Sequence, residues 1–138
     1  MRFNFEDVEV QERYNKFLDK IMPRMKDILA FCEQGTEDNL SVLKKRLLDY
    51  EAHNNFLSFH YSEAMGFYKL ALAQEWAKEP DFKGIFERKV RATVEARAIE
   101  PEAVLERFER LIKGLSVSLT AVQTNLRVEE SLLARRME

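Results

Sequence analysis

The chain has 138 residues, of which 46% are hydrophobic and 33% are charged, and its formal net charge at pH 7 is −2. This apolar content excludes an intrinsically disordered chain, and the slightly acidic balance argues against nonspecific nucleic-acid binding by overall charge. Cys32 is the only cysteine, which excludes an intrachain disulfide and a thiolate metal cluster, and glycine and proline are too few for a loop-rich β protein.

Residues 1–138 therefore predict one all-α domain. No apolar run approaches the roughly 20 residues that span a bilayer. The N-terminal stretch MRFNFEDVEV lacks the apolar region of a signal peptide. We expect a cytoplasmic protein without a membrane partner.

The first predicted helix covers residues 7–34, where apolar side chains recur at helical spacing from Val10 to Ile21. Pro23 lacks an N–H and clashes with the preceding turn, so we expect a kink or break there. Gly35 suits the C-terminal stop of this helix.

The second predicted helix covers residues 36–78, with Thr36 as N-cap and Pro80 just past its end. Its apolar seam alternates steps of three and four, the pattern of a coiled coil. The seam consists of Leu40, Leu43, Leu47, Tyr50, Asn54, Leu57, Tyr61, Ala64, Tyr68 and Ala71. A second stripe predicts coverage on more than one side, and its members are Ala52, Phe56, Phe59, Gly66, Leu70 and Ala73.

The third predicted helix, residues 81–99, is basic, and the fourth, residues 101–136, starts with Pro101 in the first helical position. The fourth helix carries another heptad seam, which we assign to oligomerisation: Leu105, Phe108, Ile112, Leu115, Leu119, Val122, Leu126 and Leu133. Two long seams predict an elongated hairpin of two long helices with shorter flanking helices, coiled-coil-like packing and a homo-oligomer. The mixed composition of the seams does not set the number of copies.

A search for catalytic and cofactor motifs gives a negative prediction. The four glycines are scattered singly, so no phosphate-binding loop is present. His60 and Glu63 lie one turn apart, but the repeated carboxylate–histidine motif of di-iron bundles is absent. We expect no catalytic residue, no metal site, no cofactor and no enzymatic activity.

The stretch of residues 82–99 holds five bases and two acids and admits two interpretations. It can be a solvated face with its own ion pairs, Glu87 with Arg91 and Arg91 with Glu95. It can also contact a polyanion, with aromatic side chains stacking on the bases of a single strand. The phosphate contacts would then be Lys83, Arg88, Lys89, Arg91 and Arg97, and the stacking residues Trp76, Phe82 and Phe86. Repetition in an oligomer would strengthen such contacts.

Residues 105–125, LERFERLIKGLSVSLTAVQTN, resemble the C-terminal helix of the UvsY-type recombination mediators of tailed phages. The matching positions are Leu105, Phe108, Leu111, Ile112, Ser116, Leu119, Ala121, Val122 and Thr124. The resemblance implies a noncatalytic homo-oligomer that binds single-stranded DNA and helps to load a recombinase onto DNA coated by single-strand-binding protein. It also implies the host cytoplasm if a phage encodes the chain. The family's basic, aromatic-containing DNA contact is matched by Lys69 and Trp76, while Ala71 stands where a base is expected.

Three hypotheses for function follow, and the third of them is a small enzyme or metal protein with a site that the sequence does not reveal. The first is a single-stranded DNA-binding recombination mediator or accessory protein that acts as an oligomer. The alternative is a helical structural or adaptor subunit that binds only protein partners. The sequence does not distinguish DNA from RNA as the ligand.

Overall fold

The computed structural model describes residues 1–34, 40–79 and 87–137, and the regular elements in these ranges are all helical. The helices are α1 (Val8–Glu33), α2 (Leu40–Ala77), α3 (Glu87–Arg97) and α4 (Ile99–Met137). The all-α prediction and the two long helices are confirmed. The elongated hairpin and its coiled-coil packing stay predictions. Gly35, Thr36 and Pro80, to which we assigned helix ends, lie outside the described residues. No helix in the described ranges combines the length and apolar character of a membrane span.

The first helix starts at a side-chain cap and continues through its proline. Asp7 Oδ1 accepts the N–H groups of Glu9 at 2.9 Å and Val10 at 3.2 Å, which satisfies donors that have no partner within the helix. α1 then runs through Pro23 without interruption, so the expectation of a break is wrong. Ile21 before the proline and Met25 after it are both buried. A bend at this position stays a prediction.

Two compact units share the four helices, and they part at that proline. Unit 1 comprises Met1–Met22 and His60–Phe108, and unit 2 comprises Pro23–Phe59 and Glu109–Glu138. Both α2 and α4 contribute residues to each unit. Each of these two helices, although its sequence shows one continuous apolar seam, therefore contributes side chains to two separate cores.

The junction between α3 and α4 lies two residues earlier than the sequence indicates. Only Ala98 separates the two helices, and its carbonyl accepts the N–H of Glu102 at 3.2 Å. α4 thus begins at Ile99, two residues before the predicted start. Pro101 is tolerated in this first turn because the N–H it lacks would have no partner there.

Unit 1 is built around a cluster of aromatic rings from the N-terminal segment, α1, α2 and α4. Neighbouring ring centroids lie 4.8 to 6.4 Å apart, a range typical of favourable aromatic pairs. The rings belong to Phe3, Phe5, Tyr14, Phe17, Phe67 and Phe108. All six residues are buried.

The segment before α1, to which the sequence analysis assigns no structure, is held on this cluster by side chains of the helices. Gln74 Oε1 accepts the N–H of Glu6 at 2.8 Å, and Gln74 Nε2 donates to the Asn4 carbonyl at 2.9 Å. Glu100 accepts the N–H of Phe3 at 3.2 Å and the hydroxyl proton of Tyr14. The N-terminal residues are therefore part of the core of unit 1.

The predicted seam of α2 is only partly buried. Leu43, Leu57, Ala64 and Ala71 are buried, and the other six seam residues are half-buried. The second stripe is mostly exposed: Phe56 is half-buried with the Arg24 guanidinium carbon 5.5 Å from its ring centroid, and the other five members are exposed, Phe59 at 67% and Leu70 at 44%. Coverage on more than one side stays a prediction.

The seam of α4 that we assigned to oligomerisation lies largely inside the chain. Leu105, Phe108, Leu115 and Val122 are buried against their own chain and are not open to a second copy in this structure. Three further members are half-buried, namely Ile112, Leu119 and Leu126, and Leu133 is 46% exposed. Self-association stays a prediction, and its contact residues have to be sought among exposed side chains.

Unit 2 contains a buried arginine, Arg46, whose hydrogen-bond acceptors are all uncharged. The Arg46 guanidinium donates to Gln34 Oε1 at 2.9 Å, to the Phe31 carbonyl at 3.1 Å and to Ser118 Oγ at 3.3 Å. It also lies 4.2 Å from the centroid of the Phe31 ring. The Phe31 carbonyl belongs to the last turn of α1, where the helix dipole is negative, so this helix end provides part of the charge compensation.

Arg46→Ala should lower the free energy of unfolding by about 2–4 kcal/mol, because it leaves the buried Phe31 carbonyl and Ser118 hydroxyl without this donor and removes the cation over Phe31. Urea unfolding followed by circular dichroism measures the change. Lys45→Ala removes an exposed charge one residue away and should stay within about 0.5 kcal/mol of the wild type. Equal effects of the two substitutions would contradict this role of Arg46.

His53 should make unit 2 sensitive to mild acid. Its ring lies 4.7 Å from the ring of Phe31, and its pKa is lowered first by burial and then by the charge of Arg24. The unfolded chain therefore binds this proton more readily than the folded chain, and stability is lost as the pH falls below the ordinary value of 6.5. Between about pH 7.5 and 5.5, His53→Leu should lose less stability than the wild type in urea unfolding. If the stability of the wild type and of His53→Leu changes equally with pH, His53 is not the source of the acid sensitivity.

Candidate polyanion-binding surface

The sequence-predicted site residues lie on α2 and α3 where the structure describes them. Arg88, Lys89, Arg91 and Arg97 are exposed on α3, and Lys69 is exposed on α2. Trp76, near the end of α2, is 37% exposed. Phe82, Lys83 and Phe86 lie outside the described residues, so their predicted roles stay predictions.

Two of the predicted phosphate contacts are engaged in ion pairs. Arg97 Nη1 lies 2.5 Å from Glu79 Oε1 and 4.0 Å from Glu75 Oε2. Arg91 Nη2 lies 3.8 Å from Glu87 Oε1, which confirms the pair expected from the i, i+4 spacing. Glu75 belongs to α2 and Glu79 follows the end of that helix by two residues, and no spacing within the basic stretch could indicate either partner. The interpretation as an ion-paired face therefore holds for part of this stretch.

Arg88 and Lys89 keep their charges available. In the part of the chain that the structure describes, neither side chain forms an ion pair. These two bases alone give a small cationic spot on α3.

A larger basic surface lies between α1 and α2 in unit 1, where the sequence analysis did not place one. A groove of about 690 Å³ runs between the two helices. Its basic side chains are Arg13, Lys16 and Lys20 from α1 and Lys69 from α2, and its acidic side chain is Glu63. Phe17, Gly66, Phe67 and Leu70 complete the lining. We call these nine residues the basic groove.

Aromatic packing fixes the two walls of the basic groove. Phe17 of α1 and Phe67 of α2 are 4% and 5% exposed, and their ring centroids lie 5.2 Å apart. The Arg13 guanidinium carbon lies 5.9 Å from the centroid of Phe67, a distance at which a cation is attracted to the ring. Burial of the two rings therefore sets the position of the bases.

Gly66 opens the floor of the groove. A Cβ atom built at this position would have no heavy atom within 4 Å. Leu70, which is 44% exposed, provides an apolar side chain of the lining close to Gly66. The floor can therefore accept apolar groups of a ligand whose charged groups contact the bases.

The electrostatics of the groove favour an anion. Its four bases are exposed, and within residues 1–34, 40–79 and 87–137 none of them forms an ion pair. Glu63 is already engaged, because its Oε1 lies 2.8 Å from Nδ1 of the buried His60. Like charges along one groove raise the local concentration of anions.

Acidic side chains gather on the opposite flank of α2. Burial raises the pKa of Tyr68, and the charges of Glu102, Glu95 and Glu106 raise it further, in that order. Tyr68 follows Gly66 by two residues, a rotation of about 200° around the helix. Three glutamates therefore act on Tyr68, whereas the groove beside Gly66 is lined mainly by bases.

The bases of α1 escaped the sequence analysis because they belong to no dense basic run. Arg13, Lys16 and Lys20 follow a three-four spacing that places them on one face of a helix. That spacing is the signal that could have found them. Their approach to Lys69, about 50 residues away in the chain, depends on tertiary packing.

A metal site needs several ligand side chains that converge on one ion. Among the described residues, no group of three or more His, Cys, Asp or Glu side chains could hold a metal ion. Burial raises the pKa of the Cys32 thiol, which disfavours the reactive thiolate at neutral pH.

Comparisons of the chain with protein-family models, with curated proteins and with solved structures found no match. The resemblance to the UvsY-type mediators stays a prediction.

Gly66→Ala should raise the free energy of unfolding by about 0.5–1 kcal/mol, because glycine is unfavourable inside a helix and the added methyl group meets open space. Urea unfolding measures the gain. A loss of stability would show that the floor is covered at this point and would contradict an open groove.

Proposed function

We propose that the protein is a noncatalytic single-stranded DNA-binding protein, and that the basic groove of unit 1 is its primary DNA contact. The observation that carries the proposal is the convergence of four unpaired bases from α1 and α2 on one groove of a slightly acidic chain. Binding by overall charge would not need such local concentration. The role of recombination mediator, acting as an oligomer with a recombinase and a single-strand-binding protein, comes from the sequence resemblance and is the finer part of the proposal.

The dimensions of the groove favour a single strand over a duplex. Packed helices lie about 8–10 Å apart from axis to axis, so the groove is a shallow channel above their contact, which one flexible backbone can follow more closely than a stiff duplex can. Along α1, Arg13 and Lys20 are about 10 Å apart at 1.5 Å per residue. The bases can thus contact two or three successive phosphates of one strand.

Trp76 extends this path along α2. It follows Lys69 by seven residues, which places both side chains on the same face of the helix about 10 Å apart. Phe17 and Phe67 are too buried to stack on a base, whereas part of the Trp76 ring is exposed. A strand that leaves the groove near Lys69 would therefore meet its stacking partner at Trp76.

The apolar floor supports a second candidate function, an adaptor that binds only protein. Its shape and charge suit an acidic segment that directs apolar side chains toward Gly66 and Leu70 and carboxylates toward the lysines. This candidate uses the same groove but needs no exposed aromatic ring.

Fluorescence anisotropy of a labelled single-stranded oligonucleotide over a salt series tests the first proposal. With four phosphates neutralised, the logarithm of the binding constant should fall with the logarithm of salt concentration with a slope of about −3. Lys16→Glu with Lys20→Glu should weaken binding at low salt by at least about tenfold, because it reverses two of the four charges. Trp76→Ala should weaken binding by about 1–3 kcal/mol with little change in slope.

The matched control is Lys44→Glu with Lys45→Glu, which makes the same change in net charge at exposed positions of α2 in unit 2. If the two double variants lose the same binding affinity, the affinity depends on the overall charge of the protein and not on the basic groove. Absence of binding by the wild type at low salt would remove the DNA proposal and favour the adaptor. Duplex competitor should displace the strand poorly, and equal displacement would contradict a path within the groove.

A further inference from the structure

The last two turns of α4, residues 129–136, carry an apolar face that the described chain leaves uncovered; we call this segment the α4 end. Its Leu132 and Leu133 are 41% and 46% exposed. Leu133 stands on the stripe that is buried earlier in the helix, at Leu115, Ser118 and Val122, and Leu132 lies about 100° around the helix from Leu133. The stripe continues at steps of three and four through Leu126 and Glu129 to Leu133 and Arg136.

Exposure along this stripe rises toward the end of the helix. Val122 is 2% exposed, Leu126 and Glu129 are half-buried, and from Leu132 onward the side chains are exposed. The α4 end therefore extends the packing face of unit 2 past the side chains that cover it.

The charges of this face are arranged symmetrically about the two leucines. Glu129 precedes Leu132 by three residues, and Arg136 follows Leu133 by three residues. In the described chain neither of these charges forms an ion pair. An antiparallel copy of the segment presents Arg136 opposite Glu129 and Glu129 opposite Arg136, while a parallel copy presents like charges to each other.

We propose that the α4 end binds the α4 end of a second copy of this chain, antiparallel and about a two-fold axis between Leu132 and Leu133. The four leucines of the pair form the apolar centre, and each Glu129 contacts the partner's Arg136. The contact is isologous, since the same residues serve both copies. Of the predicted seam it uses only Leu133, since Phe108, Leu115 and Val122 are buried in their own chain.

The small contact area of the α4 end limits the affinity of the pairing. From Glu129 to Arg136 the helix rises about 10 Å, so the contact falls below the roughly 1,200 Å² that stable interfaces bury. We therefore expect weak, reversible association that salt weakens further, because the ion pairs lie near solvent. Such an interface places two basic grooves in one particle without depending on DNA binding.

Sedimentation velocity of the full chain over a concentration series at low salt tests the pairing. The wild type should associate reversibly. Glu129→Arg and Arg136→Glu should each raise the dissociation constant by at least about tenfold, because each places like charges opposite one another at two symmetric points. The double variant with both changes should return to within about threefold of the wild type.

The matched controls are Glu130→Arg and Arg135→Glu, which make the same charge changes at neighbouring positions turned about 100° away on the helix. Both should leave the dissociation constant near that of the wild type. Circular dichroism should show unchanged folding for all variants, since every changed side chain is exposed or half-buried.

A wild type that stays monomeric at submillimolar concentration would overturn the proposal. So would association that the single charge reversals leave unchanged, or a double variant that is not restored, since either result places the contact elsewhere or in a parallel arrangement. Anisotropy with the labelled strand is read separately, so loss of DNA binding and loss of self-association remain distinguishable.

Discussion

The contact between Phe17 and Phe67 is the interaction on which the candidate site depends. One ring comes from α1 and the other from α2, and both are almost fully buried within a cluster that also includes Tyr14. Burying each aromatic side chain contributes about 1.5–3 kcal/mol, so the approach of the two helices is strongly determined. The bases of the groove stand on these same helix faces, and their spacing follows from the packing beneath them.

Charge in this chain is organised by tertiary structure more than by composition. Ion pairs across elements, such as Arg97 with Glu79, use bases that the sequence presents as a cationic run. Bases scattered along α1 become a continuous surface instead, because nothing acidic in the described chain pairs with them. Net charge is therefore a poor guide to what unit 1 attracts, and the two flanks of α2 differ in sign around Gly66 and Tyr68.

Local patterns in the sequence predicted the helices, but they did not predict which side chains each helix packs against. Heptad spacing indicated the two long helices because periodicity within one element depends on that element alone. The same spacing could not tell whether Phe108 or Leu115 meets its own chain or another copy, since a seam has the same pattern in both cases. The extended N-terminal residues gave no helical period, although Phe3 and Phe5 alternate as in an extended segment packed on one side.

The candidate site was predictable only in part. Lys69 and Trp76, for which the resemblance implies a DNA contact, are seven residues apart on α2, and that role stays a prediction, while the groove that Lys69 lines depends on α1 as well. Contacts between residues about 50 positions apart in the chain carry no short-range signature. The stretch of residues 82–99 attracted attention because its bases are contiguous, a property that says little about how many of them remain unpaired after folding.

The attachment of the first six residues to the aromatic cluster has a practical consequence for handling the protein. Phe3 and Phe5 supply two of the six rings, and Gln74 and Glu100 hold the backbone that carries them. Proteolytic trimming of this short leader would uncover Tyr14 and Phe67 to water and loosen the wall that bears Arg13. The fully exposed Met1, in contrast, leaves room for an affinity tag that does not disturb the rings.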